Sequence, residues 1–284
     1  MHDLPPRPGK ARGEFAVIVN LFADPYVLAT MKILKSLFLI LAITVPMLAS
    51  DIKSGQELIA AMHKKYDGKW YKTLTFVQTT TNYNPDGTSK VATWYEAMSV
   101  PGKLRIDIDP LDKGNGIIFA DQKLYSFRDG KLAVSRPFIH PLLVLGFDVY
   151  LQPVETTLDQ MKDMGFDMSV VHQEQWQGKT VYVVGAKQGD LTTPQFWVDK
   201  DNLYFVRLFQ LAGKDKKNVQ ETQFNKYQKA KGGSWVSAEV QFFVDGKRAT
   251  TEEYTDIQTD TKLSDDLWNP DKWMTADRTY FKKK

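Results

Sequence analysis

The stretch of residues 100–137 constrains the fold of this chain more than any other. Leu104 and Ile106 alternate with charged neighbours, which is the two-residue period of a half-buried β-strand. Three short apolar runs follow, and Asp129-Gly130, before the last of them, is typical of a tight hairpin turn. Strands this short predict an antiparallel meander with one face exposed to solvent. The opposite, apolar face must pack against another layer of the fold.

The same stretch resembles the central motif of the LolA/LolB-like periplasmic lipoprotein carriers. The matching residues are Pro-Gly-Lys-Leu-Arg-Ile from position 101 and Ala-Asp-Gln-Lys-Leu-Tyr from position 120. In the family these segments read Pro-x-x-Phe-Arg-Trp and Asp-Gly-Lys-x-Leu-Trp-x-Tyr. The likeness continues from PQFWVDKDNLYFVRLFQL to LSDDLWNP, so it covers residues 55–270.

Helical patterns lie before and after the first strands. Ser54 and Glu57 form a capping box ahead of apolar residues at helical spacing, which predicts a helix ending near Asp67. Residues 141–150 are apolar nearly all round, and residues 153–165 form a further helical stretch. Two helices therefore interrupt the strands, in the place where a cover for an open sheet would sit.

Strands are predicted to resume at residue 166 and to continue to residue 257. Within them, the strand predicted over residues 203–211 places Val206 and Leu208 on one face by simple alternation. The predicted fold class is α+β, with an antiparallel sheet of about 10–11 strands. The resemblance implies that this sheet is a strongly curved, incomplete β-barrel whose concave face is covered by the helices.

The N-terminus is predicted to be an export signal. Residues 31–50 combine the basic Lys32 and Lys35 with an apolar core that ends at Pro46, which is the pattern of a cleavable signal peptide. An uncleaved signal anchor is the alternative. Residues 1–30 are then a non-native or disordered extension, with translation starting at Met31. Export of this kind predicts a periplasmic location.

The remainder, residues 51–284, is predicted to form a single LolA-like lipoprotein-carrier domain. The 284-residue chain has no cysteine, so it forms no disulfide and has no lipidation site of the lipobox type. Its net charge of +3 is too small to indicate nucleic-acid binding. The tail from Thr279 onward, which ends in three lysines, is predicted to lie outside the core.

The sequence offers no catalytic or metal-binding constellation. His63, His140 and His172 are far apart and lack ligand spacing, so each is interpreted as an ordinary surface or packed histidine. Glu252 and Glu253 are neighbours on a predicted strand and point to opposite faces, which does not suit a carboxylate pair. We therefore expect no enzymatic activity, no cofactor and no metal.

Bulky apolar residues recur along the predicted strands and in residues 141–150. Packing between sheet and helices explains any one of them, but a curved sheet with many inward side chains also leaves room for acyl chains. The predicted cavity-lining and lid residues are Leu104, Ile106, Phe119, Tyr125, Phe127, Leu142, Leu143, Leu145, Phe147, Trp197, Phe205 and Phe209.

The resemblance implies a monomeric carrier of lipid or lipoprotein acyl chains in outer-membrane lipoprotein sorting. An inner-membrane donor and an outer-membrane acceptor would be its partners. In the family an arginine just before the first motif holds the lid shut, whereas this chain has Val100 there, so the lid must close differently. The alternative is an envelope-stress regulator that uses the same scaffold to bind a membrane-anchored partner.

Overall fold

The computed structural model describes residues 51–213, 215 and 217–281. The predicted signal peptide and the N-terminal extension lie outside these residues. The described helices are α1 (Gly55–Tyr66), α2 (Pro141–Gly146) and α3 (Val154–Asp163). The strands are β1 (Thr73–Tyr83), β2 (Ser89–Ser99), β3 (Lys103–Ile108), β4 (Asn115–Ala120), β5 (Lys123–Arg128), β6 (Lys131–Pro137), β7 (Val171–Trp176), β8 (Lys179–Val184), β9 (Gln195–Asp199), β10 (Phe205–Ala212), β11 (Asn218–Lys229), β12 (Trp235–Val244) and β13 (Lys247–Thr259).

All of these strands belong to one open antiparallel sheet. Its order is β6-β5-β4-β3-β2-β1-β13-β12-β11-β10-β9-β8-β7, so two meanders meet at the β1–β13 ladder. The predicted antiparallel sheet is confirmed. It has 13 strands rather than 10–11, because every short run on either side of the helices forms a paired strand. The strand expected from residue 166 begins only at Val171.

Helix α1 begins at the predicted capping box. Ser54 Oγ accepts a hydrogen bond from the backbone N–H of Glu57 at 3.1 Å, and the Glu57 carboxylate accepts one from Lys53 N–H at 2.8 Å. Leu58, Ile59 and Met62 are fully buried on one side of the helix. Within the described residues, no helix is both long and apolar enough to cross a membrane.

The main core lies between the helices and one face of the sheet, which we call the helical face. Leu58 from α1, Leu143 from α2 and Met161 from α3 are buried in the same cluster as Leu104 and Ile106 from β3. Because side chains alternate along a strand, Arg105 and Asp107 of β3 lie on the other face, which we call the outer face.

The outer face of β3 is covered by another part of the chain, so the prediction that this face is exposed to solvent was wrong. Residues 263–281, the C-terminal segment, pack there through Leu267, Trp268 and Trp273. Arg105 and Asp107 are consequently 0% and 1% exposed. A buried ion pair must be satisfied internally, and the Arg105 guanidinium bonds both the Asp107 carboxylate (2.7 Å) and the Trp273 carbonyl (2.7 Å).

The C-terminal tail is also attached to this cluster, contrary to the prediction that it lies outside the core. Tyr280 packs against the cluster of the C-terminal segment, and its hydroxyl donates to Asp107 at 3.4 Å. Arg278 makes a further ion pair with Asp107 at 3.1 Å. The charged pair on β3 therefore anchors the tail. The three terminal lysines lie outside the described residues.

A third apolar cluster covers the outer face at the opposite end of the sheet. Val181, Trp197, Val206 and Phe209 are buried in it. A bulge in β10 between Phe205 and Arg207 interrupts the simple alternation of that strand. Val206 and Leu208, which were predicted to share a face, therefore lie in different clusters.

Candidate functional site

A cavity of about 350 Å³ lies between α2 and the helical face of the sheet. Its lining comes from both meanders and from the helical region, so the whole fold contributes to it. The lining is mostly apolar, as expected for a small-molecule site. The residues that line it are Phe76, Trp94, Glu96, Met98, Leu104, Ile106, Ile117, Phe119, Phe138, His140, Pro141, Leu142, Leu143, Phe147, Gln210, Gln220, Thr222, Phe224, Val240, Phe242, Glu252 and Tyr254.

Six of the predicted cavity residues are brought together around this space. Three of them lie on strands and point toward the helical face, and the other three lie in the segment 141–150. Leu145 and Phe205 are fully buried in the same core but do not border the cavity. The six lining residues are Leu104, Ile106, Phe119, Leu142, Leu143 and Phe147.

Four other predicted residues lie on the outer face instead. Tyr125 and Phe127 pack with the C-terminal segment, where the Phe127 ring stacks on Trp273 with centroids 4.3 Å apart. Trp197 and Phe209 belong to the cluster at the other end of the sheet. The sequence offered aromatic residues on both faces, and strand alternation decides which of them turn toward the cavity.

Residues 141–150, which we call the cover segment, form part of the boundary of the cavity. α2 contributes Leu142 and Leu143 to the lining, and a 3-10 turn, Asp148–Tyr150, follows Phe147. Asp148 is 3% exposed, and its carboxylate accepts a hydrogen bond from the backbone N–H of Gly102 at 2.9 Å. Burial raises the pKa of Asp148 to about 7.

The Asp148 hydrogen bond joins the cover segment to the first motif. Gly102 lies in the turn that begins the first motif, beside Val100, which is 8% exposed in the main core. A carboxylate on the cover segment therefore binds the backbone of the motif, where the family would use an arginine before the motif. The sequence showed Asp148 only as the single charge in an apolar run.

The cavity also has a polar side that sequence reasoning missed. Glu96 on β2 and Glu252 on β13 both line it, on either side of β1. Glu96 is 5% exposed; burial and, to a smaller extent, the Glu252 carboxylate raise its pKa well above the ordinary value. Burial raises the pKa of Glu252 to about 7, although hydrogen bonds from Tyr254 (2.9 Å) and Gln78 partly oppose this rise.

Gln78 lies between these two carboxyl groups on β1. It is fully buried and pairs across the sheet with Trp94 and Tyr254, both of which line the cavity. Its amide nitrogen donates to Thr80 Oγ1 at 2.7 Å, whereas its Oε1 has no hydrogen-bond partner among the described residues. Buried acceptors are normally satisfied, so this oxygen is an exception, although Gln78 itself does not border the cavity.

The charged side chains that line the cavity are acidic. None of the described residues that line it is lysine or arginine. His140 is the only histidine in that lining, and burial lowers its pKa to about 4, so the ring is neutral at physiological pH. The ionisable side chains facing the space are therefore acids without a basic counterpart.

A larger groove, of about 590 Å³, lies on the outer face between β1, β13 and the C-terminal segment. Polar and apolar surface contribute about equally to its lining, which includes Thr75, Asp256, Gln258 and Lys262, so it suits an acyl chain less well than the cavity beneath α2 does. In the described part of the chain, no group of three or more histidine or acidic side chains has an arrangement that would hold a metal ion.

Solved structures show the same fold. A crystal structure of a domain from Vibrio parahaemolyticus that is assigned to outer membrane lipoprotein sorting has a TM-score of 0.51 and 13% identity, covering 78% of this chain and 98% of that one. A DUF1329 family protein from Desulfovibrio piger has a TM-score of 0.50 and 14% identity, covering 75% and 95% respectively. No protein-family model and no curated protein sequence matches this chain.

These likenesses define the class of fold. The chain shares its fold with these two proteins, one of which is a domain assigned to outer membrane lipoprotein sorting, in agreement with the fold that the sequence resemblance implied. At 13–14% identity the likeness extends to the fold, and the cavity described above is the feature of this chain on which a function must be argued.

Proposed function

We propose that this protein is a periplasmic carrier that holds the acyl chains of a lipid or lipoprotein in the cavity beneath α2. The observation that supports it most is the apolar cavity on the helical face, which is bordered by six of the residues predicted from the sequence. A volume of about 350 Å³ lies within the range of small-molecule sites, about 300–1,000 Å³.

The energetic reason for such a carrier is the cost of exposing an acyl chain to water. Burial is worth about 0.8 kcal/mol per CH₂ group, so a chain of about 14 carbons costs about 11 kcal/mol to expose. A cavity lined by side chains such as Ile117, Phe119 and Phe242 removes most of that cost. The carrier then crosses an aqueous compartment with its cargo shielded.

Release of the cargo requires a part of the cavity wall that opens, and we assign this role to the cover segment. α2 is only six residues long and is held by apolar contacts, so acyl chains can replace those contacts at little cost. The Asp148–Gly102 hydrogen bond then fixes the closed position at the end of the segment. A carrier of this kind works as a monomer between an inner-membrane donor and an outer-membrane acceptor.

The location follows from the predicted signal peptide of residues 31–50. N-terminal sequencing of the protein recovered from the periplasm is expected to begin near Ser50 or Asp51. A membrane-bound form that retains Met31 would instead favour the signal anchor.

The function can be tested by filling the cavity. Ile117 is half-buried in the lining, and Ile117→Trp places a larger side chain into the space without adding a charge. The control is Val134→Trp on β6, where the native side chain is 46% exposed. We expect Ile117→Trp to reduce binding of a neutral fluorescent fatty ester at least tenfold and Val134→Trp to leave it unchanged.

Mass spectrometry of lipids extracted from protein purified from its native periplasm completes the test. We expect acyl lipids or lipoprotein fragments in the wild-type extract and their depletion from Ile117→Trp. Equal binding by both variants and the wild type would show that acyl chains bind elsewhere, and absence of binding by the wild type would refute the carrier function.

A further inference from the structure

Two carboxyl groups, those of Glu96 and Glu252, line a cavity whose other walls are mostly apolar. Glu96 is flanked across the sheet by Phe76 and Ile106, and all three border the cavity. An apolar cargo alone would leave this carboxyl group desolvated with nothing to compensate it. Among the described residues no hydrogen bond or ion pair is found for Glu96, although it is 5% exposed.

We propose that Glu96 and Glu252 form a subsite for a protonated amine carried by an otherwise apolar ligand. The inference rests on the proposed acyl-chain carrier and specifies the chemistry of its cargo. A protonated amine beside two carboxyl groups favours their ionised forms and donates charge-assisted hydrogen bonds to them. The chain of the ligand would occupy the apolar remainder of the cavity.

The donors of a primary ammonium match the acceptors present. An ammonium group has three N–H donors and no acceptor. Glu96 and Glu252 offer carboxylate oxygens on the wall of the cavity, and the Tyr254 hydroxyl oxygen, which lies 2.9 Å from the Glu252 carboxylate, offers a third acceptor beside them. The aromatic rings of Trp94 and Tyr254 also border this side of the cavity, and such rings attract cations.

The same lining disfavours anionic heads. Glu96, Glu252, Tyr254 and His140 are the titratable groups that face the space, and the histidine is neutral. A fatty-acid carboxylate would bring a third acid next to two others. A phosphate-bearing head would find no lysine or arginine among the described residues of the lining.

The test compares three ligands with the same twelve-carbon chain: dodecylamine, dodecanol and dodecanoate. Each displaces the neutral fluorescent probe N-phenyl-1-naphthylamine from the purified protein at pH 8. We expect dodecylamine to bind at least tenfold more tightly than dodecanol, and dodecanoate to bind more weakly than dodecanol.

Variants of the two glutamates test whether these residues cause the preference for the amine over the alcohol. Glu96→Gln and Glu252→Gln, which keep the side-chain shape, are each expected to reduce the advantage of the amine over the alcohol at least fivefold. The preference is the ratio of the two affinities within each variant, so a general change in affinity cancels, and measurable binding of dodecanol shows that the variant is folded. Glu253→Gln is the matched control, because Glu253 is the exposed neighbour on the same strand and is absent from the lining.

The results distinguish failure of the amine subsite from failure of the carrier function. If dodecanol binds but the amine binds no better, or if both glutamine variants keep the full preference, the amine subsite is refuted and the carrier function stands. If none of the three ligands displaces the probe, or if the probe does not bind the wild type, the carrier function itself is refuted and the subsite falls with it.

Discussion

The buried ion pair on the outer face gives a sharp test of what holds the C-terminal segment. Arg105→Met keeps the length of the apolar stem but removes the guanidinium. That group bonds Asp107 at 2.7 and 3.0 Å and the Trp273 carbonyl at 2.7 Å, and it lies 4.0 Å from the centre of the Trp273 ring. The variant therefore leaves a buried carboxylate and a buried carbonyl with fewer partners.

The expected cost can be estimated from these contacts. Removing one member of a buried pair costs about 3–5 kcal/mol. The lower end applies here, because Asp107 keeps its ion pair with Arg278 at 3.1 Å. At about 2–4 °C per kcal/mol for a domain of this size, a loss of about 3 kcal/mol lowers the melting temperature by about 6–12 °C.

Thermal unfolding should be followed by far-UV circular dichroism and by tryptophan fluorescence, since Trp268 and Trp273 both lie in the affected cluster. The control is Lys103→Met on the same strand, where the native side chain is half-exposed and a change within about 0.5 kcal/mol is expected. The double variant Arg105→Met, Asp107→Leu should recover much of the loss. Equal melting of Arg105→Met and Lys103→Met would refute the reasoning.

Three further predictions concern the cavity and the sheet. Leu143→Asp should abolish binding of a neutral fluorescent fatty ester while the far-UV spectrum stays sheet-like; global unfolding would show that α2 is fixed core. Gly116→Ala should destabilise the fold by about 1–3 kcal/mol in urea, because its Cβ would lie 2.1 Å from the Ile106 carbonyl oxygen; an unchanged midpoint would contradict this. Stability should fall as pH rises from about 4.5 to about 7, because burial raises the pKa of Glu252 from 4.5 to about 7 and the folded state therefore binds more protons than the unfolded state between these values. Glu252→Gln should flatten this decline in urea midpoints measured from pH 5 to pH 8, and an identical slope would contradict it.

Local patterns were enough to predict the elements that depend on neighbours in the chain. The capping box at Ser54 and Glu57 starts α1 as expected, and the alternation of Leu104 and Ile106 gives β3 its buried face. These features follow from residue spacing alone, because a helix or strand repeats with a fixed period.

The features that were missed depend on contacts between distant parts of the chain. Arg105 was expected in water because nothing in its own strand shows that Trp273 will cover it. The bulge in β10 moved Phe209 to the outer face, and no residue pattern marks that bulge. Glu252 was compared only with its neighbour Glu253, whereas the carboxyl group that matters is Glu96, two strands away in the sheet.

The ladder between β1 and β13 has a consequence for the order of folding. Lys72 N–H, just before β1, donates to Asp260, 188 residues further along the chain. One side of the first strand therefore stays unpaired until the last strand has been synthesised. Pairings of such long range form slowly, and exposed edges aggregate. A chain with this topology benefits from a chaperone that shields β1 during that interval, and its folding yield should depend more on the β1–β13 ladder than on any hairpin.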